Sequence, residues 1–358
     1  MENLKLLGWN TYFEEQFKKY QNSGFLPARI IREDKERYIL SNYDEIFAGE
    51  VTGKLLFESE SNSELPKTGD WVTAQFFEDE KKAIIHKVLT RKSAFSRKAA
   101  GKQFEEQVIA ANIDILFIVQ SLDENFNLRR IERYLSSLLS GEIIPALIFN
   151  KTDLNSDLKF KGKMIMENFP GFTIFFTSAV SGSGINELQK FIRKGITCAF
   201  IGSSGVGKSS LINKLLGEEL IQINEVRDAD SKGRHTTTRR ELFVIPSGGL
   251  IIDTPGMREF QLWESAGGVD SVFSEIEMLS NQCKFSNCTH TVEPGCAINE
   301  AVQAGELNLK RFESYKKLKK EEEYLRSKID RDYFFERKEK EKRLHREIKK
   351  INKARRKF

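Results

Sequence analysis

The sequence predicts a multidomain protein with an N-terminal β-barrel of the oligonucleotide-binding type (an OB-fold), a central α/β domain with a parallel-rich sheet, and a mostly helical C-terminal domain. Three changes of pattern support this prediction. Short alternating apolar runs fill residues 28–96 and favour a small barrel. From about 112 to 200, near-continuous apolar runs alternate with amphipathic ones, which is typical of a parallel sheet covered on both faces. After about 265 the chain becomes helical in character, cysteine-bearing and finally basic.

The length of 358 residues is enough for two or three domains, each with a core of its own. We expect an N-terminal helix and the barrel in 1–98, the α/β domain in 99–264, and the helical domain with a basic tail in 265–358. The first 20 residues have the irregular apolar face of a short helix.

The composition is ordinary for a soluble protein, with 39% hydrophobic and 30% charged residues. No apolar run approaches the ~20 residues that a bilayer span requires. The N-terminal sequence MENLKLLGWNTYFEEQ lacks the apolar stretch and cleavage site of a signal peptide. We therefore expect a cytoplasmic monomer with no membrane partner.

Positive charge is concentrated in the C-terminal tail. Residues 331–358 hold 13 Lys or Arg against 5 Asp or Glu, whereas residues 1–330 hold 44 basic and 47 acidic residues. Such a tail can neutralise phosphates, which points to an RNA partner; the alternative is a solvated helix without a nucleic-acid role.

Five runs carry the predicted barrel strands: ARIIRED, RYILS, AGEVTGKLLFE, DWVTAQFF and AIIHKVL. Their periodicity does not separate an OB barrel from an SH3-like one. The basic stretch RKSAFSRK at 91–98 follows, as either an RNA contact or a linker.

A glycine-rich motif follows the apolar run ITCAFI and precedes the helical run LINKLL. It fits G-x-x-x-x-G-K-[ST], the pattern of a phosphate-binding loop (P-loop), whose backbone N–H groups and helix N-terminus bind phosphates. Lys208 is expected to reach the β and γ phosphates and Ser209 to bind Mg²⁺. The candidate residues of the loop are Gly202, Ser203, Ser204, Gly205, Val206, Gly207, Lys208, Ser209 and Ser210.

A second motif, Asn150, Lys151 and Asp153 in IFNKTDL, indicates which base is bound. The Asp153 carboxylate can accept hydrogen bonds from N1 and the exocyclic amino group of guanine, which adenine does not offer in that arrangement. The motif alone could be a surface turn. Its place at a strand end, together with Thr177, Ser178 and Ala179 at the end of another strand, favours a GTP or GDP site, because ligands bind beyond the carboxyl ends of such strands.

The segment GLIIDTPG supplies a third motif of the expected nucleotide site. Asp253 at a strand end can hold Mg²⁺ through water, and the Gly256 N–H can contact the γ-phosphate; an ordinary turn is the alternative. Between this segment and the P-loop lies SKGRHTTTRRE, where a switch segment is expected. Thr237 or Thr238 is expected to contact Mg²⁺ there, and we favour Thr237.

Three cysteines and a histidine, Cys283, Cys288, His290 and Cys296, fall within 14 residues. In a cytosolic chain this clustering favours a metal over disulfides. Three thiolates and one imidazole make a closed four-ligand set, which predicts one structural Zn²⁺ and not a catalytic metal. Incidental thiols are the alternative.

The order of the motifs is reversed relative to Ras-like proteins, because NKTD at 150–153 precedes GSSGVGKS at 202–209. Since both must meet at one nucleotide, the order implies a circularly permuted P-loop GTPase domain. With the barrel in front and the cysteine cluster behind, the chain resembles the RsgA (YjeQ/YloQ) family of small-subunit ribosome biogenesis GTPases. The resemblance implies a GTPase that docks on the small ribosomal subunit late in assembly, is activated there, and leaves after hydrolysis.

Met257 occupies the place where Ras-like proteins have a water-orienting glutamine, and a thioether cannot orient water. His235 in GRHTTT is the best polar candidate for this role; it could instead shape the switch or contact RNA.

Two functions are compatible with these motifs. The first is a GTP hydrolase, with Lys208, His235 and Thr237 as catalytic candidates, that binds rRNA of the small subunit and is released upon hydrolysis. The second is an RNA-binding switch module that uses GTP and GDP as conformational ligands and turns over negligibly.

Overall fold

The computed structural model describes residues 2–34, 37–98, 106–139, 142–154, 157–221, 240–254 and 268–329. The chain forms two compact units. The first comprises Met1–Tyr134 with Gly141–Trp263, and the second comprises Leu135–Ser140 with Glu264–Phe358. Within the described ranges, no helix has both the length and the apolar character needed to cross a bilayer. The predicted three-part division stays a prediction.

The N-terminal part is a closed five-stranded barrel, as predicted. Its strands are β1 (Leu26–Asp34), β2 (Arg37–Ser41), β3 (Ile46–Val51), β4 (Trp71–Phe77) and β5 (Lys82–Val88), with helix α2 (Gly53–Glu58) between β3 and β4. The pairing runs β1–β2–β3–β5–β4 and closes through β1–β4, with β3–β5 parallel. This pairing order is that of an OB-fold and excludes the SH3-like alternative.

One face of each barrel strand fills the interior. The alternating pattern of β3, in which Phe47 and Ala48 lie on opposite faces, shows the period of two. The buried core consists of Ala28, Ile30, Tyr38, Leu40, Phe47, Leu55, Val72, Ala74, Ala83 and Ile85.

The N-terminal segment is a short 3₁₀ helix (Asn3–Leu7) followed by helix α1 (Thr11–Phe17) and another 3₁₀ turn (Lys18–Tyr20). Gly8 separates the helices in a left-handed conformation (φ 87°), and the Asn10 side chain caps α1 by accepting from the Tyr12 N–H. Trp9 packs edge-on against Trp71 of the barrel at 4.7 Å between ring centroids. The segment therefore covers one side of the barrel.

Arg29 of β1 lies under this segment with 1% of its surface exposed. Its guanidinium donates to the carbonyl oxygens of Leu7, Gly69 and Asn112, and so joins the N-terminal segment, a barrel loop and the following domain. Burial lowers the pKa of Arg29 to about 10, which leaves it charged at neutral pH.

Replacement of Arg29 with methionine is expected to lower the free energy of unfolding of the first unit by about 3 kcal/mol, because buried carbonyl oxygens lose their charged donor. The measurement is urea unfolding of the full chain followed by tryptophan fluorescence. The matched control is Arg37→Met at an exposed position of β2. An unchanged midpoint of urea unfolding for Arg29→Met would show that these hydrogen bonds do not contribute to stability.

The central sheet has the predicted α/β architecture. Its strands are β8 (Ile115–Ser121), β9 (Ile144–Asn150), β10 (Thr173–Phe176), β11 (Thr197–Ile201), β12 (Arg240–Val244) and β13 (Leu250–Asp253). They lie in the order β10–β9–β8–β11–β13–β12, parallel except for the antiparallel pair β12–β13. Helices α3 (Leu128–Leu138), α4 (Leu158–Asn168) and α5 (Ile185–Phe191) connect the parallel strands, and α6 (Lys208–Leu216) follows β11.

Strands β8 and β11 at the centre of this sheet are buried along their length, as expected for a sheet covered on both faces. One core cluster joins the strands to α5 and α6 and includes Phe117, Ile148, Leu188, Phe200 and Leu211. This core holds the carboxyl ends of β8, β9 and β11 at one edge of the sheet.

A short antiparallel hairpin, β6 (Ala94–Lys98) and β7 (Glu106–Ala111), links the barrel to the central sheet. Strand β1 also pairs with β12 through Arg32 and Glu241, whose side chains approach to 3.6 Å. The barrel thus extends the central sheet directly.

The second unit contains helices α7 (Gly268–Val272), α8 (Ser274–Ser280), α9 (Ala297–Gln303) and α10 (Leu309–Ile329). Arg311 joins α10 to the preceding helices: it pairs with Glu275 and donates to the Val272 carbonyl oxygen at 2.9 Å. Buried Phe273 packs against Tyr315, so this unit has an aromatic core of its own.

Candidate functional site

The P-loop connects the buried strand β11 to α6 at the centre of the sheet. Gly202 (φ 151°) and Gly207 (φ 92°) adopt backbone conformations that favour glycine. A Cβ at Gly202 would lie 2.3 Å from the Val119 carbonyl oxygen, and one at Gly207 would lie 2.3 Å from Asn150 Nδ2. Both glycines of the motif are therefore required by the space available as well as by their φ angles.

Lys208 begins α6 and its side chain turns back over the loop. Its Nζ donates to the carbonyl oxygens of Gly202 at 2.7 Å and Ser203 at 2.9 Å. Ser209 and Ser210 follow in the first turn, and all three side chains are half-buried. The loop thus places an ammonium group and two hydroxyls at a helix N-terminus, the arrangement that binds phosphate and a divalent cation.

Asn150, at the end of β9, joins the two motifs. Its Nδ2 donates to the Val206 carbonyl oxygen of the P-loop at 2.9 Å, and its Oδ1 accepts from Thr177 Oγ1 and the Ala179 N–H, both at 3.2 Å. The side chain is 1% exposed. Two segments about fifty residues apart in sequence are therefore in direct contact, as one nucleotide site requires.

Asp153 lies in a 3₁₀ turn (Thr152–Leu154) just beyond β9, and its side chain is exposed. The buried Ser178 hydroxyl donates to Asp153 Oδ1 and also accepts from the Ser181 N–H at 3.1 Å. This contact fixes one carboxylate oxygen and orients the group at the strand edge, where it can accept two N–H donors of a purine.

Lys151 has a left-handed backbone (φ 63°) at the same strand end. Its Nζ lies 2.9 Å from Asp123 Oδ2, and the other oxygen of Asp123 accepts from Ser121 Oγ at 2.6 Å and the Asn125 N–H at 3.0 Å. Burial opposes ionisation of Asp123, but the hydrogen bonds from Ser121 and Lys151 lower its pKa overall.

Asp253 ends β13, directly across the strand pair from Glu241. Burial raises the pKa of Asp253 to about 6, although nearby Lys208 lowers it. The next residue, Thr254, is buried and donates to the Phe200 carbonyl oxygen at 3.3 Å. The carboxylate is thus held beside the P-loop lysine. His235, Thr237, Thr238 and Gly256 lie outside the described residues.

Two polar residues at this edge were not identified from the sequence. Asp123 holds Lys151, and Arg130 of α3 donates to Ser203 Oγ of the P-loop at 3.0 Å. Each is a single residue in a loop or helix without a characteristic spacing, so no pattern indicated them. Thr177, whose hydroxyl donates to Asn150 Oδ1, belongs to the Thr-Ser-Ala run that was expected at this strand end.

The second unit holds a compact set of metal-ligating groups, one from each of Cys283, Cys288, His290 and Cys296. The four ligand atoms lie within 4.8 Å of one another. His290 Nδ1 is 3.6 Å from Cys283 Sγ and 3.5 Å from Cys296 Sγ, and the two sulfurs are 4.0 Å apart. A tetrahedral zinc site requires about 3.6 Å between imidazole and thiolate and about 3.8 Å between thiolates, given the usual Zn–S and Zn–N lengths. The donor set therefore fits a metal ion such as zinc.

The histidine of this cluster is oriented by a neighbour that the sequence did not reveal. His290 Nε2 lies 3.2 Å from Ser280 Oγ, at the end of α8. When Nε2 donates to this hydroxyl, Nδ1 is free of a proton and faces the cysteines, as in other histidine ligands whose second nitrogen is held by the protein.

The fold and these sites define a P-loop nucleotide-binding protein whose motifs occur in circularly permuted order, with a separate metal-binding cluster. A family model described as RsgA GTPase matches residues 88–263. The protein "Small ribosomal subunit biogenesis GTPase RsgA" of Opitutus terrae is 41% identical over 341 residues, which cover 91% of this chain and 92% of that protein. "Small ribosomal subunit biogenesis GTPase RsgA 2" of Lactiplantibacillus plantarum is 40% identical, with 90% of each chain covered. The chain belongs to the RsgA family of GTPases.

Solved structures support the fold. The crystal structure of YjeQ from Thermotoga maritima matches with a TM-score of 0.59 and 26% identity, covering 83% of this chain and 98% of that one. The structure of YloQ, described as a circularly permuted GTPase, matches with a TM-score of 0.58 and 22% identity, covering 85% and 96%. The predicted fold class is thus confirmed.

Proposed function

We propose that this chain is a GTP hydrolase that acts in late maturation of the small ribosomal subunit, binds rRNA there and is released upon GTP hydrolysis. The observation that carries the nucleotide site is the contact of Asn150 with the Val206 carbonyl oxygen, which brings the guanine motif to the P-loop. The ribosomal role rests on the names of the relatives, which are small ribosomal subunit biogenesis GTPases.

Each motif has a separate part in binding. Asp153 accepts from guanine, with Lys151, Ser178 and Ala179 beside the base, and the P-loop residues Gly202–Ser210 hold the phosphates. Ser209, Asp253 through water, and Thr237 or Thr238 would hold Mg²⁺. Gly256 contacts the γ-phosphate. When bound, the cation neutralises charge that develops on the phosphates during transfer.

The residues of the chain then have three tasks in hydrolysis. The Lys208 ammonium stabilises negative charge on the phosphates, because it lies at the P-loop in a partly buried position. His235 accepts a hydrogen bond from the attacking water, in place of the glutamine that Met257 replaces. Thr237 would close over Mg²⁺ when the γ-phosphate is present.

The second unit binds one structural Zn²⁺ through Cys283, Cys288, His290 and Cys296, and carries the basic tail. The tail, with 13 Lys or Arg in residues 331–358, neutralises rRNA phosphates. We assign the protein to the cytoplasm, as a monomer without a membrane partner. The chain is divided functionally into 1–98, 99–264 and 265–358.

The proposed function is tested by GTP turnover of the full chain with and without purified small ribosomal subunits. We expect subunits to accelerate turnover by at least about 10²-fold, because a partner that completes the site supplies transition-state stabilisation that the isolated protein lacks. Negligible turnover in both conditions, with GTP still bound, would instead support the RNA-binding switch module.

Replacement of His235 with alanine is expected to reduce subunit-stimulated turnover by about 10²-fold while leaving GTP affinity unchanged, because the imidazole acts on water and not on the nucleotide. His235→Gln serves as the matched variant: its carboxamide oxygen can also accept from water, so it should retain part of the stimulation. Full stimulation in His235→Ala would show that another group orients the water.

A further inference from the structure

The loop that follows β8 carries a carboxylate that none of the nucleotide-binding motifs includes. Asp123 is half-buried, and its two oxygens have different partners. Ser121 Oγ and the Asn125 N–H donate to Oδ1, while Oδ2 lies 2.9 Å from Lys151 Nζ. Ser121 is itself fully buried at the end of β8, so the carboxylate is held in one orientation before it meets the lysine.

The strand ends on which Asp123 and Lys151 lie are also fixed relative to each other. The Leu122 N–H donates to the Asn150 carbonyl oxygen at 2.9 Å, extending the β8–β9 ladder to the residue next to Lys151. Lys161 of α4 donates to the Leu122 carbonyl oxygen at 3.1 Å. The Asp123 carboxylate and the Lys151 backbone are therefore attached to two strand ends that are hydrogen-bonded to each other.

We propose that Asp123 is a positioning residue for Lys151, and that this ion pair sets the affinity for the guanosine part of GTP and GDP. The inference rests on the proposed guanine site at Asp153. The Lys151 Nζ lies 2.9 Å from Asp123 Oδ2, so the four-carbon stem is fixed at both ends, by the backbone beside Asn150 and by the ion pair. An aliphatic stem held in this way offers a flat apolar surface to a purine.

Fixing the stem in advance removes the entropy cost of ordering a long side chain when nucleotide binds. The guanosine part is common to GTP and GDP, so loss of the pair should weaken both equally. It should not change the chemical step, because neither residue belongs to the P-loop.

The test uses the full chain and fluorescent analogues of GTP and GDP with Mg²⁺. Asp123→Asn is expected to raise the dissociation constants for both nucleotides by the same factor, about tenfold, with kcat at saturating GTP within about twofold of the wild type. The matched control is Glu124→Gln, an exposed acidic neighbour, which should bind both nucleotides like the wild type. Thermal unfolding checks that each variant is folded.

A double-mutant cycle with Lys151→Ala separates positioning from a general structural effect. If Asp123 acts through Lys151, Asp123→Asn should add no further loss in the Lys151→Ala background. An equal loss in both backgrounds, unchanged affinity of Asp123→Asn, or a loss confined to GTP would overturn the proposal. Failure of the wild-type chain to bind GTP would instead contradict the proposed function itself, so the two failures are distinguishable.

Discussion

Replacement of Asp153 with asparagine is expected to lower GTP affinity by about 10³-fold and to shift the preference of the site to xanthosine triphosphate. In the proposed site the carboxylate accepts two N–H donors of guanine, and each charge-assisted hydrogen bond contributes about 1.5–3 kcal/mol. An asparagine presents one acceptor and one donor, which matches the carbonyl that xanthine has in place of the amino group. Titration of the full chain with each triphosphate measures the two affinities and hence the change in preference.

The orientation of Asp153 makes this prediction specific. Ser178 is buried and donates to one carboxylate oxygen, so an asparagine side chain can keep its oxygen toward Ser178 and turn its amide toward the base. Asp157→Asn, the same substitution at an exposed position four residues away, is the control and should bind GTP normally. Unchanged GTP affinity in Asp153→Asn, or ATP bound by the wild type as tightly as GTP, would exclude the guanine assignment.

The parts of this site that are local in sequence could be predicted from the sequence. A strand, a glycine-rich loop and a helix follow one another from Thr197 to Leu216, so the P-loop is visible in one stretch. The meeting of Asn150 with Val206 could be expected only because both motifs must contact one nucleotide. The periodicity of the segments says nothing about how strands are ordered.

Other features depend on long-range pairing and could not be predicted. Alternation in the barrel shows which face of a strand is buried, whereas the OB-fold is decided by the parallel pairing of β3 with β5. Arg29 occurs in the run ARIIRED as an ordinary polar position, and only the N-terminal segment packed over it makes it a buried charge. Asp123 pairs with Lys151, which is 28 residues away in sequence, and Ser280 contacts His290, which is 10 residues away.

Removal of the proposed zinc ion from the second unit is expected to have the other large effect, on the folding of that unit. A chelator, or the variant Cys296→Ser, should release one zinc per chain and unfold the region around α8 and α9. Structural zinc contributes about 10–16 kcal/mol in zinc-finger peptides, more than a small helical unit obtains from its own core. Zinc content by mass spectrometry and helicity by circular dichroism are the two measurements. Cys198→Ala, outside the cluster in β11, should retain the metal.

The reason for this dependence lies in where the ligands are attached. Cys283 follows α8 and Cys296 immediately precedes α9, so a bound ion joins the end of one helix to the start of the next. The chain between them contains exposed Phe285 and Val292 and has little apolar burial to hold it otherwise. Loss of one thiolate should therefore unfold the segment between α8 and α9, while GTP binding in the first unit persists. Retention of zinc and of helicity in Cys296→Ser would mean that these helices are held by their own packing.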